Sequence, residues 1–191
     1  MRFKLLTIFA ALLFVSIGRV TATAQDIEKT DYPPVPDSIM KAELSTVDGK
    51  KFTLADLKGK IVLVNLWGNW CGPCREQMPV FSKLQTKYGE SGLEVIGINI
   101  GDAMENVEPP EKLMKFSESM MVGYTVTQTH PAVTKSIYEL SRQQAVPQSI
   151  VIDRDGRLRG IFVGAASRIN EKIEALITKT IAEVPLQHVK K

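Results

Sequence analysis

The chain has 191 residues, 44% of them hydrophobic, and a formal net charge of +3 at pH 7. This length accommodates one ordinary domain and a short extra segment, and the apolar content is sufficient for a single core. The Lys and Arg residues are scattered rather than gathered in a basic stripe, which argues against a nucleic-acid partner.

The first 24 residues have the pattern of a secretory signal peptide. Two basic residues precede an apolar run over residues 5–17, and the sequence Ala-Thr-Ala ends at position 24. We expect cleavage before Gln25 and export to a periplasmic or otherwise extracytoplasmic compartment, with an uncleaved segment that tethers the chain as the alternative. Export would place the thiols where a disulfide can persist.

The remaining chain divides into three predicted parts. Residues 25–41 are predicted to be a linker, because prolines and polar residues occur there without periodicity. A domain is predicted over residues 42–184, and a short tail over residues 185–191.

The predicted elements of the domain alternate between strands and helices. Continuous apolar runs predict buried strands, and apolar residues at helical spacing predict helices. In chain order these are a hairpin over residues 42–54, a strand over 61–67, a helix over 73–88, a strand over 93–100, helices over 111–121 and 133–141, a hairpin over 149–163 and a final helix capped by Ser167. Such an order is typical of an α/β domain with a mixed central sheet and helices on its faces.

The two cysteines of the chain, Cys71 and Cys74, are separated by two residues. A disulfide that closes so small a loop constrains little of the unfolded chain. A structural zinc site needs four ligands, and beyond the two thiols the chain offers only His130 and His188. Neither a purely structural disulfide nor a metal site is therefore favoured.

The position of this pair favours redox chemistry. Cys71 falls between a predicted buried strand and the first turn of a helix, where free N–H groups and the helix dipole favour the thiolate that attacks disulfides. Cys74, one turn later, is placed to resolve the mixed disulfide that Cys71 forms. Gly72 allows close approach, and Pro73 has no N–H to lose at this position.

The sequence Trp-Gly-Asn-Trp-Cys-Gly-Pro-Cys-Arg over residues 67–75 resembles the active site of thioredoxin-fold thiol-disulfide oxidoreductases of the exported TlpA/ResA type. The resemblance covers residues 42–181 and implies a thioredoxin-like fold with an added N-terminal β-hairpin. It also implies that Trp70 faces the partner, and that Val146 and Pro147 form a cis-proline loop whose backbone pairs with an incoming peptide.

Two positions depart from that resemblance. Asn65 and Gln77 are amides where related proteins carry buried acids, and an amide cannot accept the proton that Cys74 must lose. Glu76 is a neighbouring carboxylate, but it lies about 100° around the helix and is expected to face solvent. These three residues are the candidate positions for a proton relay.

Segment 102–144 matches the resemblance least. It contains four methionines and His130, and such side chains would suit copper as ligands. These residues form no close ligand pattern in the sequence, however. Met114 and Met120 are expected to pack in the core, and we expect neither a cofactor nor a stably bound metal.

The resemblance implies a protein that reduces disulfides of cysteine-containing extracytoplasmic clients, with apocytochrome c as one candidate client. A membrane thiol carrier is the implied source of electrons. The alternatives are an oxidase or isomerase that uses the same cysteines, and a non-catalytic binding module whose cysteines stay oxidised. Peroxidase activity is less expected, because thioredoxin-like peroxidases do not generally carry Cys-Gly-Pro-Cys at this site.

Overall fold

The computed structural model of the chain describes residues 32–104 and 106–183. The predicted signal peptide and the predicted tail over residues 185–191 lie outside the described residues. In chain order the elements are α1 (Asp37–Met40), β1 (Leu44–Ser45), β2 (Lys51–Phe52), a 3₁₀ helix (Leu54–Leu57), β3 (Ile61–Trp67), α2 (Gly72–Tyr88), β4 (Leu93–Asn99), α3 (Pro110–Ser119), β5 (Thr125–Thr127), α4 (Pro131–Ser141), β6 (Gln148–Ile152), β7 (Leu158–Val163) and α5 (Ser167–Ala182).

A mixed five-stranded sheet forms the centre of the domain, in the order β5-β4-β3-β6-β7. β3 pairs in parallel with β4 and antiparallel with β6, and all of its residues are buried. β1 and β2 form a separate antiparallel hairpin. The predicted mixed sheet with helices on its faces, and the predicted N-terminal hairpin, are both confirmed.

Alternate residues of β3 build two apolar layers, because successive side chains of a strand point to opposite faces. Val62 and Val64 belong to the cluster that includes residues of α1 and α4. Ile61 and Leu63 belong to the cluster that includes residues of α2 and α5. Each such side chain is almost fully buried, which stabilises the fold by about 1.5–3 kcal/mol per residue.

Residues 32–41 belong to the folded unit rather than to a linker. Val35 is 4% exposed and Ile39 is fully buried, and both lie in the core cluster beside β3. The N–H of Val35 also donates to the carbonyl of Gly156 at 3.0 Å. The linker prediction over residues 25–41 is therefore wrong for this part, because two isolated apolar residues in a polar segment give no periodic signal.

Two smaller predictions also need correction. Ser167 does not cap α5: it is the first helical residue, and Ala166 at the cap position provides no side-chain hydrogen bond. Met114 is 37% exposed, because Leu113, Phe116 and Met120, at helical spacing, form the face of this segment that packs inward. The expected core packing holds for Met120 only.

None of the helices in the described part of the chain combines the length and apolar character that a membrane span requires.

Candidate active site

Cys71 occupies the turn between the central strand β3 and the start of α2. It is the N-cap residue of this helix, and its Sγ accepts a hydrogen bond from the backbone N–H of Cys74 at 3.2 Å. Pro73 stands in the first helical turn, where no N–H partner is needed. The expected position of Cys71 at a helix N-terminus is thus the observed one.

The two cysteine sulfurs are joined in a disulfide, with an S–S distance of 2.03 Å and a Cα–Cα distance of 5.2 Å. Cys71 is 5% exposed and Cys74 is 1% exposed, so Cys71 is the more accessible of the pair. Both sulfurs lie on an apolar cluster that includes the fully buried Trp67. Trp67 therefore packs beneath the pair, and its ring stacks on Phe116 with 5.5 Å between the centroids.

The loop before β6 lies against Cys71. The Val146–Pro147 peptide bond is cis, as the resemblance implied, and the Val146 carbonyl oxygen is 3.8 Å from Cys71 Sγ. A disulfide sulfur carries no hydrogen, so this approach is a contact rather than a hydrogen bond. The Pro147 carbonyl accepts from the N–H of Gly164 at 2.8 Å, which fixes the loop to the segment after β7.

Trp70 presents its indole at the surface beside the disulfide. It is 46% exposed, and its Nε1 donates to the carbonyl of Gly101 at 3.1 Å. A methyl group on Gly68 would lie 2.7 Å from Trp70 Nε1, so only glycine at position 68 leaves room for this orientation. Trp70 thus has the exposure that a partner-facing residue needs.

The two amides, Asn65 and Gln77, meet behind the disulfide. Both side chains are buried, and Asn65 Nδ2 donates to Gln77 Oε1 at 3.3 Å. Asn65 Nδ2 also lies 3.1 Å from Ser149 Oγ on the adjoining strand. Gln77 is three residues after Cys74 on the same buried side of α2, which brings the amides close to the second cysteine.

Asn170 completes this amide cluster and has no signature in the sequence. Its Oδ1 accepts from Gln77 Nε2 at 2.7 Å, and its Nδ2 donates to the carbonyl of Ala165 at 3.2 Å. Gln77 Nε2 also reaches the carbonyl of Gly164 at 3.4 Å. Both hydrogens of the Gln77 amide therefore have acceptors. Glu76, by contrast, is exposed as expected.

Within residues 32–104 and 106–183, no three His, Cys, Asp or Glu side chains are grouped so that they could bind a metal ion.

A disulfide at the start of a helix, with a cis-proline loop against its accessible sulfur, suits exchange with a peptide cysteine. Together with the mixed sheet, this geometry defines a thioredoxin-fold thiol-disulfide oxidoreductase. The chain belongs to the AhpC/TSA family, whose model matches residues 35–161.

Similar proteins support the same class. The thiol-disulfide oxidoreductase ResA of Bacillus anthracis is 31% identical over 139 residues, covering 71% of this chain and 72% of that protein. ResA of Geobacillus thermodenitrificans is 27% identical over 180 residues, covering 92% and 96%. A solved thiol:disulfide interchange protein from Chlorobium tepidum is 25% identical, with a TM-score of 0.65, covering 79% of this chain and 97% of its own.

Proposed function

We propose that this protein reduces disulfides of cysteine-containing clients outside the cytoplasm, with Cys71 as the attacking and Cys74 as the resolving residue. The observation that carries the proposal is the position of Cys71 as the N-cap of α2, more exposed than Cys74 and in contact with the Val146 carbonyl. The N–H of Cys74 that points at its sulfur would stabilise negative charge there on reduction.

The first step joins protein and client. The Cys71 thiolate attacks one sulfur of the client disulfide, the client S–S bond breaks, and the other client sulfur leaves as a thiolate. Trp70, Gly72 and Pro73 flank the attacking cysteine in the chain. The resemblance implies that the client chain pairs here with the backbone of the cis-proline loop, formed by Val146 and Pro147.

The second step releases the client. Cys74 loses its proton and attacks Cys71 Sγ, the mixed disulfide breaks, and the Cys71–Cys74 disulfide forms. Two electrons pass to the client, whose two sulfurs leave as thiolates and take their protons from solvent, into which Cys71 released its proton on ionising and Cys74 releases its own in this step. Because Asn65 and Gln77 cannot accept the proton of Cys74, we assign that role to solvent rather than to a buried acid.

The cycle requires a second partner, because the protein must be reduced again. The similarity to ResA supports a thiol-reducing membrane protein as the electron donor, and an apocytochrome c with paired cysteines as one client. Export, through the predicted signal peptide, belongs to the same proposal.

The test is to trap the client on Cys71. In Cys74→Ser the mixed disulfide has no internal resolving thiol. A specific adduct should therefore accumulate in the compartment to which the protein is exported, and dithiothreitol should release the client from it. Cys71→Ser is the matched control and should trap nothing. Equal adducts on both variants, or none on either, would exclude this order of attack.

The direction of electron flow is tested by equilibration with glutathione redox buffers. A reductase should have a reduction potential close to that of thioredoxin, about −270 mV, and an oxidase one close to about −120 mV. A binding module with permanently oxidised cysteines would remain a disulfide across the whole buffer series.

A further inference from the structure

A closed ring of hydrogen bonds connects the residues just before Cys71 with the loop after β4. Asn69 Nδ2 donates to one carboxylate oxygen of Glu108, and Asn99 Nδ2 donates to the other at 3.3 Å. Asn99 Oδ1 accepts from the N–H of Gly101 at 2.7 Å, and the Gly101 carbonyl accepts from Trp70 Nε1 at 3.1 Å. Because Asn69 and Trp70 are consecutive in the chain, the ring closes.

Glu108 is the only acidic residue that is buried in the described part of the chain, with 2% exposure. Its charge is balanced by Lys112, whose Nζ lies 2.8 Å from the carboxylate. Taking a carboxylate out of water costs several kcal/mol unless partners replace the lost hydration. Here the partners are the ammonium group and the two amides, one of which belongs to the segment that precedes Cys71.

The hydrogen-bonded ring fixes the position of surface residues next to the disulfide. On one side it fixes Trp70, the exposed aromatic residue next to Cys71. On the other side, Gly101 of the ring is followed by the loop that carries Met104 and Val107. These two residues are 78% and 61% exposed. That loop is held in shape by Asp102, whose Oδ1 accepts from the N–H of Met104 at 2.8 Å.

We propose that Glu108 is a positioning residue for client recognition. Through Asn69 on one side and Asn99 on the other, it fixes the Trp70 indole against Gly101, so that a flat apolar surface meets the residues that flank a client cysteine. The client chemistry is an extended segment with an apolar side chain close to its cysteine. This inference rests on the proposed exchange at Cys71 and adds a determinant of which disulfides are accepted.

The test compares a protein disulfide with a small one. Glu108→Gln replaces one accepting oxygen by an NH₂ group and leaves Lys112 without its counter-charge, so the ring opens. We expect KM for insulin reduction to rise roughly tenfold with kcat unchanged, which is the loss of one charge-assisted hydrogen bond. The rate with 5,5′-dithiobis(2-nitrobenzoate), which needs no extended docking surface, should change less than twofold.

Two further variants separate positioning from folding. Glu111→Gln, at an exposed site in α3 three residues after Glu108, is the matched control and should match the wild type with both substrates. Asn69→Ala opens the ring from its other side and leaves Glu108 with Asn99 and Lys112. It should reproduce the KM effect even if Glu108→Gln does not fold.

A double variant tests whether Glu108 acts through Trp70. In a Trp70→Ala background, Glu108→Gln should change KM for insulin less than twofold, since the indole that it positions is gone. A full tenfold effect in that background, or an equal loss with both disulfides, overturns the inference. A wild-type protein that reduces neither disulfide would instead overturn the proposed function.

Discussion

Gln77 Nε2 donates a 2.7 Å hydrogen bond to Asn170 Oδ1, and the two residues are 93 positions apart in the chain. The bond connects the helix that carries the disulfide with the last helix of the domain. Because both groups are amides, this partly buried contact cannot gain or lose a proton in the physiological range. The pH dependence of exchange should therefore arise from the cysteines themselves.

Gln77→Glu should change that dependence. Burial raises the pKa of a carboxyl group placed there, and the new carboxylate would stand one helical turn from Cys74 as a proton acceptor. We expect release of the second thiolate from 5,5′-dithiobis(2-nitrobenzoate) to accelerate roughly a hundredfold at neutral pH, which is the lower end of general-base effects. The variant also loses the donor to Asn170, so its free energy of unfolding should fall by about 1–3 kcal/mol.

The matched control for this experiment is Glu76→Gln, at the exposed neighbouring position. It should leave both the rate and the pH profile unchanged. A slower second step in this control would identify Glu76 as the acceptor. An unchanged profile in Gln77→Glu would show that the missing acid has no bearing on the rate.

Replacement by alanine should lower stability at one of two glycines near the site and have little effect on stability at the other. At Gly97 in β4 a methyl group would lie 2.9 Å from Tyr124 Cε2 and 3.1 Å from Trp67 Nε1. Gly97→Ala should destabilise the fold by about 1–3 kcal/mol through overpacking. At Gly72 a methyl group would have nothing within 4 Å, so Gly72→Ala should change the free energy of unfolding by less than about 1 kcal/mol.

Urea unfolding measures the stability of the two glycine variants, and insulin reduction measures their activity. Gly72→Ala should retain stability but lose activity, because the added methyl group stands where a client approaches Cys71. Equal stability losses at the two glycines would contradict the packing described here.

The segment before β1 should contribute to folding. Ile39 is fully buried in the core cluster beside β3, so Ile39→Ala should lower the free energy of unfolding by about 2–5 kcal/mol. Lys41→Ala, whose side chain forms only an exposed ion pair with Asp37, should change it by less than about 0.5 kcal/mol. If denaturant unfolding shows the same stability for both, residues 32–41 act as the linker that the sequence predicted.

Glu183 should make stability depend on acid pH. Hydrogen bonds from the Arg159 guanidinium, at 2.6 and 2.8 Å, lower the pKa of the Glu183 carboxyl below its usual value. The resulting stabilisation is present above the pKa of the unfolded chain and is lost as pH falls through the lower pKa of the folded state. Glu183→Gln should therefore reduce the loss of stability between pH 7 and pH 3, measured by thermal unfolding at each pH. An identical loss in both proteins would contradict this linkage.

The sequence predicted most of the strands and helices because their signals are local. The apolar run of β3 matches the observed Ile61–Trp67, and the position of Cys71 before α2 followed from adjacent residues. β5 was missed, since three residues give no measurable alternation. Pro147 was identified only by resemblance, as the cis state of a proline has no local signature.

The rest of the site depends on contacts between residues that are distant in the chain. Asn170 meets Gln77 only after α5 has folded back on the sheet, and Glu108 looks like an ordinary surface acid in the sequence. Its burial comes from the approach of Asn69 and Asn99, which no spacing rule within residues 100–110 encodes. Polar side chains that reach a site from a distant element can therefore be identified only from the folded structure.

The beginning and the end of the described chain meet at Arg159. Its guanidinium lies 4.2 Å from the Tyr32 ring centroid and is hydrogen-bonded to Glu183. Arg159 lies beside the end of β6 that pairs with Val62, whereas Cys71 follows the opposite end of β3, about 17 Å further along that strand. A chain tethered through the segment before Tyr32 would thus be attached at the end of the sheet opposite to its disulfide.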